Sequence, residues 1–428
     1  MVPFLTAIGA SIASSGMGRS MRHREYRVFS ITHFISAVGF WLQRVGIGWL
    51  TWDLTHSGAW LGIIAFAEAV PMFLLTPLAG SLADRVDRLK MFRLLNIVNT
   101  IAAAVLAALT IFGLINIYWL TAIAITTGAL SAMQLPARMT MAPGLVPRDD
   151  VPAAIGFNAI LFQLSAFIGP AAAGLIIASL GVGYLFVANV LSYVVFIIGL
   201  YMITLPYGGE RSKRETGIFA DMVDGIRYVS GHAGIAPLIL LVFGAALFVR
   251  PYMDMLPGFA DAIFDRGPQG LATLVAASGV GGMAAGIWLA VHGKTQHMTS
   301  MVLGSVLVGA VALLLFASTS LYWLAAFWVA VIAGTSTVVS VGAQMLVQTS
   351  VDDRMRGRVM SLYGLTWRGI PAIGALMMGG LSSWAGLQAP LIGGGLFCIG
   401  LWAVIMPRKR RLAAFFEDGG DDRGSARP

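Results

Sequence analysis

Long apolar runs separated by short polar connections form the hydrophobic pattern of this chain. A helix of about 20 mainly apolar residues crosses the hydrocarbon core of a bilayer. The runs therefore predict twelve membrane-spanning helices and an all-α integral membrane fold in a lipid bilayer. In chain order, the predicted spans are 28–52, 59–82, 91–113, 118–137, 153–180, 183–205, 235–260, 270–291, 298–317, 320–346, 358–383 and 387–406.

The composition excludes a soluble protein. Of the 428 residues, 57% are hydrophobic and only 11% are charged, whereas soluble domains are about 45–50% apolar and about 25% charged. Surface-to-volume scaling leaves part of any soluble chain in contact with water, so most of this chain must have lipid as its solvent. Cys398 is the single cysteine, which excludes a disulfide framework and a thiolate metal site.

The positive charges predict how the spans are oriented. All but four of the 28 Lys and Arg residues lie in the tails or in the even-numbered connections and their edges, and the opposite loops contain only Arg266. Lys and Arg accumulate on the cytoplasmic side of membrane proteins, so both termini are expected in the cytoplasm. The net charge of +8 then reflects topology, and no nucleic-acid partner is expected.

The longest polar connection divides the predicted spans into two groups of six. Parallel six-span repeats are a recurrent transporter design, with the substrate path where the halves meet. Within this connection, residues 217–231 have apolar positions at helical spacing, which fits either a helix on the membrane surface or a simple tether. The expected organisation is an N-terminal cytoplasmic tail at 1–27, a six-helix half at 28–205, a central cytoplasmic loop at 206–234, a second six-helix half at 235–406 and a C-terminal cytoplasmic tail at 407–428.

The stretch GSLADRVDRLK, residues 80–90, concentrates five charges between two apolar spans. It resembles the loop between spans two and three of the major facilitator superfamily, with the pattern Gly-x-Leu-Ala-Asp-Arg-x-Gly-Arg-Lys/Arg. Asp87 stands where that pattern has its second glycine. A loop that is merely positively charged would leave Gly80 and Asp84 unexplained. The positions to which the resemblance assigns a cytoplasmic gating role are Gly80, Leu82, Asp84, Arg85 and Arg88.

The resemblance covers nearly the whole chain. Segments 40–62, 134–158 and 356–365 look like a bacterial efflux branch of the superfamily that includes the enterobactin exporter. The resemblance implies a secondary carrier with two six-helix halves, which works as a monomer in the inner membrane of a bacterium. SAFIGPAAAG, residues 165–174, is similar to the Gly-Pro motif of span five in exporters, and proline lets a membrane helix bend. The matching positions of this helix-bend motif are Gly169, Pro170 and Gly174.

Five charged residues remain inside the apolar spans: Arg44, Glu68, Arg250, Asp254 and Arg368. A charge at the bilayer centre costs about 2.5–3.5 kcal/mol on the milder scales, so such residues are functional candidates. Either carboxylate is a candidate for proton coupling, and the arginines are candidates for binding an anionic substrate. Alternatively, Arg44 and Glu68 form a structural ion pair across adjacent helices. Arg250 and Asp254 would then pair along one helical face.

These features predict a secondary transporter that exports a small organic compound, drug-like or siderophore-like, by alternating access and proton antiport. Antiporters of the superfamily often carry an arginine in span four, and 118–137 contains none, which weakens the proton assignment. Uptake of a nutrient or organic anion is the first alternative, and a lipid flippase or a non-transporting membrane scaffold is the second. The sequence has no nucleophile–base grouping, metal-ligand spacing or dinucleotide glycines, so neither enzymatic activity nor a cofactor or metal is expected.

Overall fold

The computed structural model is all-helical in the part of the chain that it describes. Ten of its helices are long and apolar enough to cross a membrane. Two more, Arg24–Thr55 with 32 residues and Asp353–Ala385 with 33, are long enough but carry more polar and charged side chains. Together they make up the twelve predicted spans. The described residues are 16–83, 86–207, 227–229, 231–232, 234–292, 297–351 and 353–417.

Span four differs most clearly from its predicted bounds, because it continues to Leu145. It contains Pro136 and Pro143, which membrane helices tolerate when neighbouring groups satisfy the freed backbone. Met141 and Leu145 in the added part are buried, so packing favours the helix over a loop. From span one to span twelve, the observed bounds are Arg24–Thr55, Gly58–Ala83, Arg88–Ile111, Ile117–Leu145, Val151–Leu180, Val182–Tyr201, Ile235–Ile263, Gly267–His292, Met298–Ser318, Tyr322–Ser350, Asp353–Ala385 and Gln388–Ile405.

The chain forms two compact units. The first contains the residues up to Leu50 together with Ala67–Arg214, and the second contains Thr51–Phe66 together with the residues from Glu215 onward. The hairpin between spans one and two thus belongs to the second unit, a detail that the predicted division into halves did not contain. The surface helix expected at 217–231 lies almost entirely outside the described residues and stays a prediction.

The hairpin Thr51–Phe66 packs tightly within the second unit. A Cβ atom added at Gly62 would collide with the backbone of Ala375 in span eleven. The Trp52 indole Nε1 also donates a hydrogen bond to Asp261 Oδ2 at 2.8 Å. Glycine at the contact and an indole–carboxylate bond therefore fix this hairpin against spans seven and eleven.

Spans eight and ten of the second unit pack through small residues. A Cβ atom at Gly281 would collide with the carbonyl of Ala330, and one at Gly334 would lie 3.1 Å from the carbonyl oxygen of Gly281. Because lipid tails are as apolar as the helices, membrane helices associate mainly by such close backbone packing. Gly281 and Gly334 are therefore accounted for by helix packing.

Two short helices occupy segments that the sequence analysis assigned to the tails. Gly16–Arg22 precedes span one, and Arg19 Nε donates to Asp150 Oδ1 at 3.1 Å. Lys409–Glu417 follows span twelve and packs on the second unit. The part of each tail that adjoins its neighbouring span therefore contains a helix.

Candidate functional site

Span seven in the second unit is not a regular α-helix. π-Helical segments at Ala245–Val249 and Phe259–Ile263 flank the stretch that contains Arg250 and Asp254. In the first segment the Arg250 N–H donates to the carbonyl of Ala245, five residues earlier, at 3.1 Å. Because π-helical turns are frequent at functional sites, two of the predicted candidate charges lie in a specialised part of their span.

Pro251 accounts for this local change in hydrogen bonding. Proline has no N–H, so it cannot bond to the carbonyl four residues earlier, which is that of Leu247. Gly374 of span eleven lies against this carbonyl. A Cβ atom added at Gly374 would collide with the Leu247 oxygen and would lie 2.6 Å from the Pro251 ring. The backbones of spans seven and eleven therefore meet beside Arg250.

Arg250 has an aromatic partner on span eleven. Its guanidinium carbon lies 5.1 Å from the centre of the Trp367 ring. A cation over an aromatic face gains about 0.5–1 kcal/mol at exposed sites and about 2 when desolvated. This gain offsets part of the cost of a charge inside the membrane. The two residues are too far apart in the sequence for a spacing rule to pair them.

A small, mainly apolar cavity lies beside Trp367 within the second unit. The hydroxyl-bearing residues of its wall are Ser305, Thr335 and Ser336. The Thr335 hydroxyl donates to the carbonyl of Val331 in its own helix at 2.9 Å, so its oxygen can still accept a hydrogen bond. Sequence reasoning missed this group, because single hydroxyl residues in apolar spans give no distinctive pattern.

The remaining candidates of the second unit adjoin this region. Asp254 is half-buried and lies one helical turn after Arg250, as its spacing predicts. Arg368 follows Trp367 on span eleven, and its side chain is exposed. Of these charges, Arg250 lies against the Trp367 ring, while Asp254 and Arg368 are its neighbours along spans seven and eleven.

In the first unit, Glu68 lies at a close contact between spans two and four. A Cβ atom added at Gly128 would collide with the carbonyl oxygen of Glu68. The Glu68 side chain is half-buried and interacts electrostatically with Tyr193 of span six. This candidate carboxylate therefore lies in a packed part of the unit with polar neighbours.

Spans one and six share a polar network that sequence reasoning missed. The side-chain amide of Asn189 donates to Gln43 Oε1 at 2.6 Å, and Ser192 Oγ lies 3.2 Å from Asn189 Oδ1. All three side chains are buried, and buried amides are costly unless they are hydrogen-bonded. The one asparagine in the apolar run of span six is the signal that would have revealed the network.

Arg44 follows Gln43 of this network in the sequence, but its side chain points in another direction. Its side chain is exposed, whereas that of the preceding residue, Gln43, is buried. Neighbouring residues of a helix point about 100° apart, so equal depth in the membrane does not imply the same surroundings. The predicted pairing of Arg44 with Glu68 stays a hypothesis.

His33 is an ionisable side chain inside span one that the sequence analysis did not single out. Its ring stacks on Phe29 with centres 5.2 Å apart and lies 5.5 Å from the ring of Phe196. Within the described ranges, no three His, Cys, Asp or Glu side chains lie close enough together to hold a metal ion. His33 thus packs among aromatic rings and also interacts with the polar side chains of Asn158 and Arg138.

The Gly-Pro motif of span five packs against span one. A Cβ atom at Gly169 would lie 2.5 Å from the Cβ of Trp41 and 3.0 Å from the carbonyl oxygen of Val38. Gly169 and Pro170 are both buried, and Gly174 is half-buried. Only glycine permits this approach, while the missing N–H of Pro170 creates a point at which the helix can bend.

The predicted gating loop is described only in part. Asp84 and Arg85 lie outside the described residues. Gly80 and Leu82 belong to the last turn of span two, where the Leu82 side chain is exposed, and Arg88 is the first residue of span three. The gating role of all five residues stays a prediction.

Span three begins with two polar contacts. The Asp87 carboxylate accepts a hydrogen bond from the Lys90 N–H at 2.9 Å, so this residue serves as a helix N-cap where the superfamily pattern has glycine. Further along, Arg93 Nη2 donates to the carbonyls of Leu200 and Ile203 at 2.7 and 3.0 Å. Arg93 thereby satisfies carbonyls left free where span six ends.

The fold is that of the major facilitator transporters. The solved structure of the nucleoside transporter NupG matches with a TM-score of 0.68 and 12% sequence identity, covering 90% of this chain and 98% of that chain. At such low identity the likeness shows the fold alone. The fold and the spans therefore define a multi-span membrane protein of major facilitator architecture.

The sequence shows the family within this class. The family model described as transmembrane secretion effector matches residues 16–417. The chain therefore belongs to the transmembrane secretion effector family of the major facilitator superfamily. This membership confirms the resemblance that GSLADRVDRLK and the longer segments indicated.

Several curated relatives match over most of their length. The staphyloferrin A transporter of Staphylococcus aureus (strain NCTC 8325 / PS 47) is 25% identical over 90% of this chain and 97% of its own. The multidrug efflux pump Tap of Mycolicibacterium fortuitum is 25% identical over 88% and 94%. The enterobactin exporter EntS of Escherichia coli O1:K1 / APEC is 25% identical over 90% and 92%. The chain is thus related to siderophore and drug exporters.

Proposed function

We propose that this protein is a secondary active transporter that exports a small organic compound, drug-like or siderophore-like, by alternating access and proton antiport. Its family supports transport, and relatives named for siderophore export and multidrug efflux support organic substrates. The observation that carries a coupled mechanism is the pair Arg250 and Asp254, held between two π-helical segments of span seven. Because charges are costly inside a membrane, those that occur there often mark the path of ions or substrate.

The carboxylates and arginines have separate roles in this proposal. Glu68 or Asp254 takes up a proton when the substrate leaves, and Arg44, Arg250 and Arg368 attract acidic groups of the substrate. A substrate that competes with a proton for a carboxylate gives antiport. By contrast, protonation of Asp254 would release Arg250 to bind an anion, which gives symport and the uptake alternative. The direction of coupling therefore distinguishes export from uptake.

The proposal includes a location and a gate. The accumulation of Lys and Arg in the even-numbered connections supports cytoplasmic termini, and bacterial relatives support the inner membrane of a bacterium. In that orientation the loop at 80–90 lies in the cytoplasm, where the superfamily resemblance assigns it a gating role. We further propose halves at 28–205 and 235–406, linked by 206–234, in a transporter that works as a monomer.

The test is transport in everted membrane vesicles with and without an imposed pH gradient. The substrates are a panel of dyes, antibiotics and siderophores, and the variants are Glu68→Gln and Asp254→Asn. We expect gradient-dependent accumulation of at least one compound, lost in one of the two variants. Two matched carboxylates serve as controls: Asp149 is exposed beside span five, and Asp261 is bonded to Trp52. Asp149→Asn and Asp261→Asn are expected to retain gradient-dependent transport.

The remaining outcomes contradict parts of the proposal. Transport that persists without the gradient and in both variants would contradict proton antiport. Accumulation driven by an oppositely directed gradient would indicate symport and uptake. If purified protein in liposomes instead moved labelled phospholipid between leaflets and moved none of the panel, the flippase alternative would replace export.

A further inference from the structure

The C-terminal helix Lys409–Glu417 is amphipathic and docked on the second unit. Leu412 and Phe416 are only 2% and 4% exposed, and both belong to the apolar core of that unit. Phe415 contacts the chain at Gly234, where an added Cβ atom would lie 2.5 Å from the phenyl ring. The side chains at 412, 415 and 416 thus lie at the three- and four-residue spacing of one helical face and hold the helix in place.

The end of this helix is anchored to the start of span nine. The Glu417 carboxylate accepts hydrogen bonds from the N–H groups of His297 and Thr299, at 2.7 and 2.9 Å. His297 is the N-cap residue of span nine and provides no side-chain cap of its own. A carboxylate is also favourable at a helix N-terminus because it interacts with the helix dipole. The C-terminal helix is therefore fixed at both its apolar face and its last residue.

Four consecutive basic residues, Arg408–Arg411, occupy the start of this helix and the turn before it. Arg408, Arg410 and Arg411 are exposed, and Lys409 is half-buried. Span twelve ends at Ile405, and a single 3₁₀ turn separates it from the helix. At a rise of roughly 2 Å per residue in such a turn, the basic residues lie roughly 6 Å beyond the apolar span. That distance corresponds to the headgroup layer, which adds roughly 5–8 Å on each side of the hydrocarbon core.

We propose that Arg408–Arg411 form a binding surface for the headgroups of anionic phospholipids. Guanidinium groups form paired hydrogen bonds with phosphate oxygens, and basic residues at this depth attract anionic lipid. A disordered basic tail would attract the same lipids without fixed geometry. Here the docked helix holds the charges at a fixed place on the second unit. This inference concerns lipid and is independent of the exported substrate.

The test compares thermal unfolding of the purified protein in nanodiscs of phosphatidylcholine and in nanodiscs that also contain phosphatidylglycerol. We expect phosphatidylglycerol to raise the melting temperature of the natural protein by several degrees. In the triple variant Arg408→Gln, Arg410→Gln and Arg411→Gln, most of this rise is expected to disappear. Competition by native mass spectrometry is expected to show at least about a tenfold loss of preference for phosphatidylglycerol over phosphatidylcholine.

Two matched triples distinguish a binding surface from general charge effects. Arg24, Arg27 and Arg148 are exposed arginines of the first unit, and their replacement by Gln removes the same net charge but should leave the lipid-dependent rise intact. Replacement of Arg408, Arg410 and Arg411 by Lys keeps the charge and should preserve most of the rise.

Two results would overturn the proposal. In one, the C-terminal Gln triple keeps its preference for phosphatidylglycerol. In the other, both Gln triples lose that preference equally. Equal stabilisation of the protein by inorganic phosphate would also overturn it. If a variant is generally unstable, its melting temperature in pure phosphatidylcholine is also lower. The lipid effect is therefore the difference between its melting temperatures in the two kinds of nanodisc.

Discussion

At the scale of the residue, the charge of Arg250 is stabilised by a contact distant in the sequence. Trp367 places its ring against the guanidinium. Such a contact gains about 0.5–2 kcal/mol, whereas a charge at the bilayer centre costs about 2.5–3.5 kcal/mol. The aromatic contact therefore offsets part of the cost of the charge.

The first prediction concerns the pair Arg250 and Trp367. Trp367→Leu is expected to lower stability by about 0.5–2 kcal/mol through loss of the cation–π contact. In a background of Arg250→Met the same substitution should cost measurably less, because the cation is already absent. The measurement is a double-mutant cycle of thermal unfolding in detergent. An equal cost of Trp367→Leu in both backgrounds would show that the ring contributes only packing.

Gly128 provides a second prediction at this scale. Gly128→Ala places a methyl group against the carbonyl of Glu68, where backbone cannot yield easily, so a loss of about 1–3 kcal/mol is expected. The matched control is Gly156→Ala in span five of the same unit, where no atom lies within 4 Å of the added Cβ. The control should be neutral or stabilising by up to about 1 kcal/mol. Thermal unfolding of both variants checks the difference, and equal melting temperatures would contradict the close contact.

At the scale of the element, span seven shows how one proline changes a helix. Pro251 removes a hydrogen bond, and the preceding turn adopts five-residue bonding. Gly374 then allows span eleven to lie against the Leu247 carbonyl, to which Pro251 cannot donate a hydrogen bond. The irregularity thus depends on two spans that only the folded chain brings together.

The third prediction concerns the cap of span nine. Glu417→Ala removes both hydrogen bonds to the N–H groups of His297 and Thr299, and caps of this kind contribute about 0.5–2 kcal/mol. Glu417→Gln keeps an acceptor oxygen but loses the charge, so it is expected to retain part of the stability. Hydrogen exchange at the amides of residues 297–299 gives the direct readout. Unchanged protection of these amides in Glu417→Ala would show that the carboxylate does not cap the helix.

At the scale of the whole molecule, the proposed topology rests on the distribution of Lys and Arg. Arg266 lies in an odd-numbered connection and Arg148 in an even-numbered one, and both side chains are exposed. The native Cys398 is only 1% exposed and is replaced by Ala to remove background labelling. These positions allow the two faces of the membrane to be distinguished chemically.

The fourth prediction uses single cysteines at these two positions. With intact cells, a membrane-impermeant maleimide should label Arg266→Cys and leave Arg148→Cys unlabelled. After permeabilisation both variants should react, which controls for accessibility. The reverse labelling pattern in intact cells would place the termini outside the cytoplasm and contradict the proposed orientation.

Sequence reasoning succeeded where local pattern is decisive. The twelve apolar runs became the twelve spans, because a backbone in lipid must satisfy its hydrogen bonds within a helix. It was less accurate at the end of span four, where buried Met141 and Leu145 continue the helix past Pro143. It also missed Asn189 and the contact of Trp367 with Arg250, since both depend on partners in other spans.

The sequence by itself determined the number of spans, the family and the intramembrane charges, because apolar run length, motif and composition are local properties of the chain. Tertiary structure was needed to show that Arg250 has an aromatic neighbour, that the Thr51–Phe66 hairpin packs with the second unit, and that a basic tail forms a docked helix. These features depend on contacts between residues far apart in the sequence. Helix packing selects such contacts through glycine approaches and buried hydrogen bonds that no single stretch of sequence encodes.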